Sequence, residues 1–227
     1  LYKKEFILFV VLVSILIINS NISPYFLDLY NLIDSTFLFS EKAIIALTMT
    51  FVIIARQIDL SVASIIAVSS CVLGYTTSLG YDTWLVISLT LLSGALCGAF
   101  NGAIITKFAI PSIIVTIGTM SLFRGLAYSF LEDSYYNKFP KLVSNLGGGY
   151  LFGYIPYAFL TFIILAIIFA FILHKTSVGK KIYSIGNNPD AAQYTGIAVD
   201  KYTFVLFTLN GLFSALAAIF LSGRLSS

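Results

Sequence analysis

A chain of 227 residues could form one or two soluble domains, but 59% hydrophobic and only 10% charged residues exclude that class. The same figures exclude disorder, and a net charge of +3 with no basic face excludes a nucleic-acid binder. One His and two Cys disfavour a conventional metalloenzyme, which leaves an all-α, polytopic helical membrane protein.

The chain opens with Leu1-Tyr2-Lys3-Lys4-Glu5 and an apolar run from Phe6 to Ile18. That pattern resembles the start of a signal peptide, but Asn19-Ser20-Asn21-Ile22-Ser23 offers no small-residue cleavage site, so a retained first span is expected. The first residue is Leu rather than Met, so the true start is expected upstream. A helix crossing the roughly 30 Å hydrocarbon layer needs about 20 apolar residues. About seven candidates follow, at 5–20, 38–55, 60–79, 83–106, 112–131, 154–173 and 202–222, and no strand-like alternation supports a barrel.

With the N-terminus placed in the cytoplasm, Lys3, Lys4, Arg56, Lys107, Lys175, Lys180, Lys181 and Lys201 fall inside. Lys138, Lys141 and Arg224 fall outside, with Lys42 near the outer end of the second span. Spans two and three are separated only by Arg56-Gln57-Ile58-Asp59, which predicts a tight turn or a break inside the membrane. Such a break is tolerated only where protein or water surrounds it. Cys71 and Cys97 sit inside apolar runs and read as small buried hydrophobes.

In span four, Gly94, Gly98 and Gly102 recur every four residues and share one helix face. Such a face lets another helix approach closely where lipid gives no hydrophobic drive for association. Asn101 beside it needs a polar partner, either within the packing seam or in a pore. Span five begins at Pro111, and Arg124 lies about 20 Å along it. Arg124 either faces protein or water on a pathway, or snorkels outward toward Glu132 or Asp133.

Between the last two spans, 174–201 carries a short-helix signature. Asn188 suits the N-cap, Pro189 the first helical position, Asp190 the positive helix end, and Ala191 and Ala192 the interior. Gly196 can stop the helix in the left-handed conformation. So short a helix is not stable alone. It is either a connector on the membrane surface, drawn by Lys180 and Lys181, or a docking element for a cytoplasmic subunit.

Three stretches in order carry a family resemblance. Ile58-Asp59-Leu60-Ser61-Val62-Ala63-Ser64 resembles the I-D-L-S-V-G-S motif of permease subunits in the ribose, rhamnose and autoinducer-2 branch of ABC sugar importers. Pro111 to Gly125 resembles their P-x-I-V-T-L-G-T-x-x-x-x-R-G stretch, and Gly179 to Val199 resembles their G-x-x-x-Y-A-I-G-N-N cytoplasmic loop. Tyr150 to Gly153, Gly186 to Asn188 and Gly196 to Asp200 are most similar to rhamnose-type and autoinducer-2-type members.

The resemblance implies one permease domain over 1–227, incomplete, with a cytoplasmic coupling loop at about 175–201. It implies an inner-membrane subunit that pairs with a second permease subunit, identical or not. Such a subunit receives a small sugar from an extracytoplasmic binding protein and is driven by a cytoplasmic ABC ATPase. Coupling would fall to Gly186, Asn187, Asn188, Pro189, Asp190, Ala191, Ala192, Thr195 and Gly196. ATP belongs to the partner. No cofactor or catalytic role is expected here, and the chain has no phosphate-loop motif. Candidate pathway groups for a neutral sugar are Asp59, Ser61, Ser64, Asn101, Thr116, Thr119 and Arg124, although Asp59 could instead cap span three. The outer loop around 132–157, rich in Tyr, Phe and Gly, would receive the binding protein or form an interfacial belt.

The chain departs from the family in three places. Arg56-Gln57 stands where Gly-Gly is usual, which strains the turn if it needs a positive φ; Ala63 replaces a Gly; and family members continue past Ser227 with further spans. An ion-coupled secondary transporter is the rival reading. It would show internal repeats with buried coupling charges, and no convincing repeat is present.

Overall fold

The computed structural model describes residues 2–131 and 136–226, with side chains described from Glu5. The order is α1 (Tyr2–Ile22), α2 (Leu29–Ile54), α3 (Val62–Ser78), α4 (Thr83–Phe108), α5 (Ser112–Leu131), α6 (Lys141–Gly148), a hairpin of β1 (Tyr150–Leu151) and β2 (Ile155–Pro156), α7 (Tyr157–Lys175), α8 (Ser177–Asn187), α9 (Pro189–Tyr194) and α10 (Val199–Leu225). Six helices, α1, α2, α4, α5, α7 and α10, are long and apolar enough to cross a membrane. The expected third span is helical only over the 17 residues of α3. Glu132 and Asp133, the expected neighbours of Arg124, lie outside the described residues, as do the side chains of Lys3 and Lys4.

α10 is the central helix and packs against α2, α3, α4 and α6. Its contact with α4 follows from the glycine stripe. A Cβ on Gly94 or Gly98 would run into the backbone carbonyl of Gly211 or Phe207, and one on Gly102 would meet Phe204 at 3.0 Å. Gly211 answers from α10 against Gly94 and Gly98. Farther along α10, Gly223 meets Val143 and Gly147 of α6 in the same way. Backbones in contact give the dense van der Waals packing that lipid cannot drive hydrophobically. α1, by contrast, leaves Phe6, Ile7, Leu8 and Phe9 exposed, as a lipid-facing helix does.

The α2–α3 connection is a true break. α2 ends in a left-handed cap: Arg56 N donates to Ile53 O at 2.9 Å, and Gln57 N to Val52 O at 3.0 Å. Arg56 stands at φ 60, the conformation a glycine would take without strain. For a residue with a side chain that conformation costs roughly 1–2 kcal/mol. The chain then runs back into the bundle, buried at Ala55, Asp59 and Ser61. α5 satisfies its backbone: Ile58 N donates to Ser112 Oγ at 3.1 Å, and Thr116 Oγ1 donates to Ile58 O at 3.3 Å. α3 therefore starts recessed, and at about 1.5 Å per residue its length falls short of a full crossing.

The far end is pinned separately. Arg224 of α10 forms a two-pronged pair with the buried Glu41 of α2, Nε to Oε1 at 2.8 Å and Nη2 to Oε2 at 3.2 Å. Nearby, Tyr150 Oη donates to Asp34 Oδ1 at 2.9 Å. Burial first, then the hydrogen bonds with Tyr30 and Asp34, hold that phenol above its usual range.

Replacing Gly98 by Leu forces α4 off the Phe207 carbonyl and lowers the melting temperature in detergent by an amount matching about 1–3 kcal/mol. Gly118→Ala, where a Cβ meets nothing within 4 Å, leaves it unchanged. Equal melting of the two variants would remove the glycine stripe from the account.

Candidate functional site

Two arrangements carry chemistry: a polar network at the α2–α3 break, and the α8–α9 pair beside it.

The network is built around Asp59, only 2% exposed. Its Oδ1 accepts from Ser61 N at 2.9 Å and from Ser61 Oγ at 2.6 Å. Its Oδ2 accepts from Asn210 Nδ2 of α10 at 2.8 Å. Asn101 Nδ2 of α4 donates to Ser61 Oγ at 2.8 Å, and Thr48 Oγ1 of α2 donates to Asn210 Oδ1 at 2.7 Å. Every donor points toward the carboxylate, which as an ion can only accept. Two elements thus bond the carboxylate directly, and α4 and α2 join through Ser61 and Asn210. Thr48 lies about 9 Å from the end of α2 and Asn101 about 10 Å from the end of α4, at 1.5 Å per residue. The carboxylate therefore sits within the span, not at its edge.

Of the expected pathway residues, the structure brings Asp59, Ser61 and Asn101 together directly. Ser64 follows one turn after Ser61, and Thr116 supports the break from α5. Thr119 is buried on the same α5 face. These side chains are packed between helices. The Ser64 hydroxyl and the Asn101 carbonyl oxygen are buried with no partner among the described residues, so acceptor capacity remains. Arg124 does not join them, because it is on the exposed side of α5. Asp59 as the cap of span three is corrected in detail. Ser61 is the N-cap residue, and Asp59 precedes it, gripping the Ser61 N–H and hydroxyl while reaching α10.

The predicted short helix is one of two. α9 starts as expected, with Asn188 Oδ1 accepting from Ala191 N at 3.1 Å, Pro189 in the first turn and Asp190 beside it. It ends at Gly196, φ +85, where Ile197 N donates to Ala192 O at 3.1 Å and Thr195 Oγ1 to the same oxygen at 2.8 Å. Ala192 is the residue of α9 buried in the core. Gly186 and Asn187, expected in a loop, instead belong to α8, which Thr176 caps. Gly186 is needed for a close approach: a Cβ there would overlap the Ile54 carbonyl at the end of α2. Arg56 Nη1 in turn donates to Asn187 O at 3.5 Å, a long contact. α8 is therefore seated on the break that carries Asp59.

Sequence reasoning missed Asn210, Thr48, Gly211 and Tyr194. Asn210 could have been found by the argument applied to Asn101, since a lone amide in an apolar span needs a partner. Tyr194 is 93% exposed at the end of α9, a large aromatic with nothing of its own chain over it.

Asn210→Leu removes a donor from Asp59 and the acceptor of Thr48, and destabilises the fold by about 1–3 kcal/mol. Adding Asp59→Leu costs less in that background than alone, a coupling read from thermal melts as a double-mutant cycle. Simple additivity would mean that the two side chains do not act together.

Residues 31–227 match the family described as branched-chain amino acid transport system / permease component. The chain is similar to the ribose import permease protein RbsC of Haemophilus influenzae, 34% identical over 99% of this chain and 70% of that protein. It is 37% identical to RbsC of Bacillus subtilis over 96% of this chain and 68% of that protein. It is 33% identical to the autoinducer 2 import system permease protein LsrD of Klebsiella pneumoniae over 95% of this chain and 66% of that protein. The chain thus spans about two thirds of the length of these relatives. No solved structure matches it significantly. On a match covering most of its length, the chain belongs to this family of transport-system permease components, beside the ribose and autoinducer-2 import permeases.

Proposed function

We propose that this chain is the membrane-spanning permease subunit of an ABC importer for a simple sugar or sugar-like molecule of the ribose or autoinducer-2 type. It lies in the plasma (inner) membrane with its N-terminus and the α8–α9 pair in the cytoplasm. It works with a cytoplasmic ATPase that carries the ATP, an extracytoplasmic binding protein and a second permease subunit. No relative or structural feature favours ion coupling, and that reading is dropped.

The observation that carries the proposal is the seating of α8 and α9. α9 offers the ATPase a capped helix with Tyr194 exposed at its tip, the kind of aromatic anchor that dominates protein interfaces. α8 carries displacement inward through Gly186 to the end of α2, and hence to the Asp59 network joining α2, α3, α4 and α10. A push on α9 would then shift these spans together. The exposed side of α5, with Ser121 and Arg124, would face the pathway.

Tyr194→Ala leaves the melting temperature of this chain unchanged and weakens its association with the ATPase by about thirtyfold, the size of an interface hot spot. Gly196→Val strains the left-handed stop of α9 and separates ATP hydrolysis from uptake in reconstituted vesicles. Unchanged association in the first variant together with coupled uptake in the second would overturn the docking role.

A further inference from the structure

A cavity of about 620 Å³ lies between α2, α7, α8 and α10, bordered also by Thr48 and Gly196, and the proposed transport cycle assigns it no ligand. Phe51, Phe169, Ile172, Leu206 and Leu209 make its wall apolar, while Lys181 and Lys201 stand at one end. On α10 the lining runs from Lys201, near the helix start, to Leu209, about 12 Å deeper along the axis. Charge is therefore at the α8 level and hydrocarbon lies inward, the polarity of an amphiphile entering from the membrane surface. Lys181 Nζ sits 5.8 Å from the centroid of the Tyr202 ring, which holds it over the mouth.

A sugar does not fit this chemistry. Two of the three hydroxyls in the wall already donate within the chain, Thr48 to Asn210 Oδ1 and Thr176 to Ile172 O, which leaves Tyr202, and most of the wall is hydrocarbon, so sugar hydroxyls would find few partners. A covering apolar helix would bury two ammonium groups without counter-charge. We propose that the cavity is a binding site for an anionic phospholipid, with its phosphate between Lys181 and Lys201 and an acyl chain along Leu206 and Leu209. Basic pockets between helices at a membrane surface favour such headgroups. The volume lies within the range of small-molecule sites. The inference is independent of the ATPase docking, which is read at Tyr194.

The test is native mass spectrometry of the whole chain in detergent. It is titrated with phosphatidylglycerol, with phosphatidylcholine of the same acyl chains, and with inorganic phosphate. Phosphatidylglycerol should be retained at about thirtyfold lower concentration than phosphatidylcholine, with no phosphate adduct. K181Q/K201Q, at two exposed positions, should abolish the preference while leaving the weak phosphatidylcholine adduct. Leu209→Trp should reduce both lipids. Equal retention of the two lipids, a preference that survives K181Q/K201Q, or a phosphate adduct would overturn the site. So would photo-cross-linking from Val205 in native membranes that yields polypeptide and no lipid.

Discussion

A membrane interior supplies no water, so every backbone group must find its partner in the protein. The segment 55–61 violates helical self-sufficiency where the chain turns back into the bundle, and much of the architecture answers that violation. α5 lends Ser112 and Thr116 to the bare backbone of Ile58. Ser61 and Asn210 supply donors to the carboxylate that the turn brings inside, and Asn101 in turn donates to the Ser61 hydroxyl. Close packing of α4 on α10 through glycines brings Asn101 and Asn210 near enough to meet there. The irregular segment is thus the point at which four elements become mutually dependent, because removing any one leaves a buried polar group unpaired.

The helical class, most of the span positions and the α9 caps were legible from composition, run length and local turn chemistry, but α2 starts at Leu29 where the second span was expected from 38, and the third span is the shorter α3. Gly196 could be read as a left-handed stop because only local sterics decide it. Gly94, Gly98 and Gly102 could be read as a packing face because their period alone places them together. Their partner could not, since Gly211 belongs to no four-residue glycine repeat and is recognisable only once α10 lies across α4. The same limit hid Asn210: a polar residue announces a need for a partner, and only tertiary placement names the partner as Asp59. α8 escaped notice because its glycines, Gly179 and Gly186, look like helix breakers, whereas each is there to let a backbone pass closely.

The departure at Arg56 illustrates how a family pattern and a physical rule can disagree without breaking the fold. The turn requires a positive φ, and the chain supplies an arginine. Its side chain approaches the carbonyl of Asn187 at 3.5 Å, a contact with α8 that glycine could not make. The two cytoplasm-facing features of the proposal, the break and the coupling helices, are therefore joined by a residue that the usual sequence would not provide.

The Glu41–Arg224 pair has a mechanical consequence. α2 and α10 are fastened at one extremity by this bidentate clamp and again near the middle by Thr48 and Asn210. Beyond that second fastening, on the α8 side, both helices line the cavity. Two rods tied at two separated points resist sliding along their length, so the clamp fixes the register of α2 against α10.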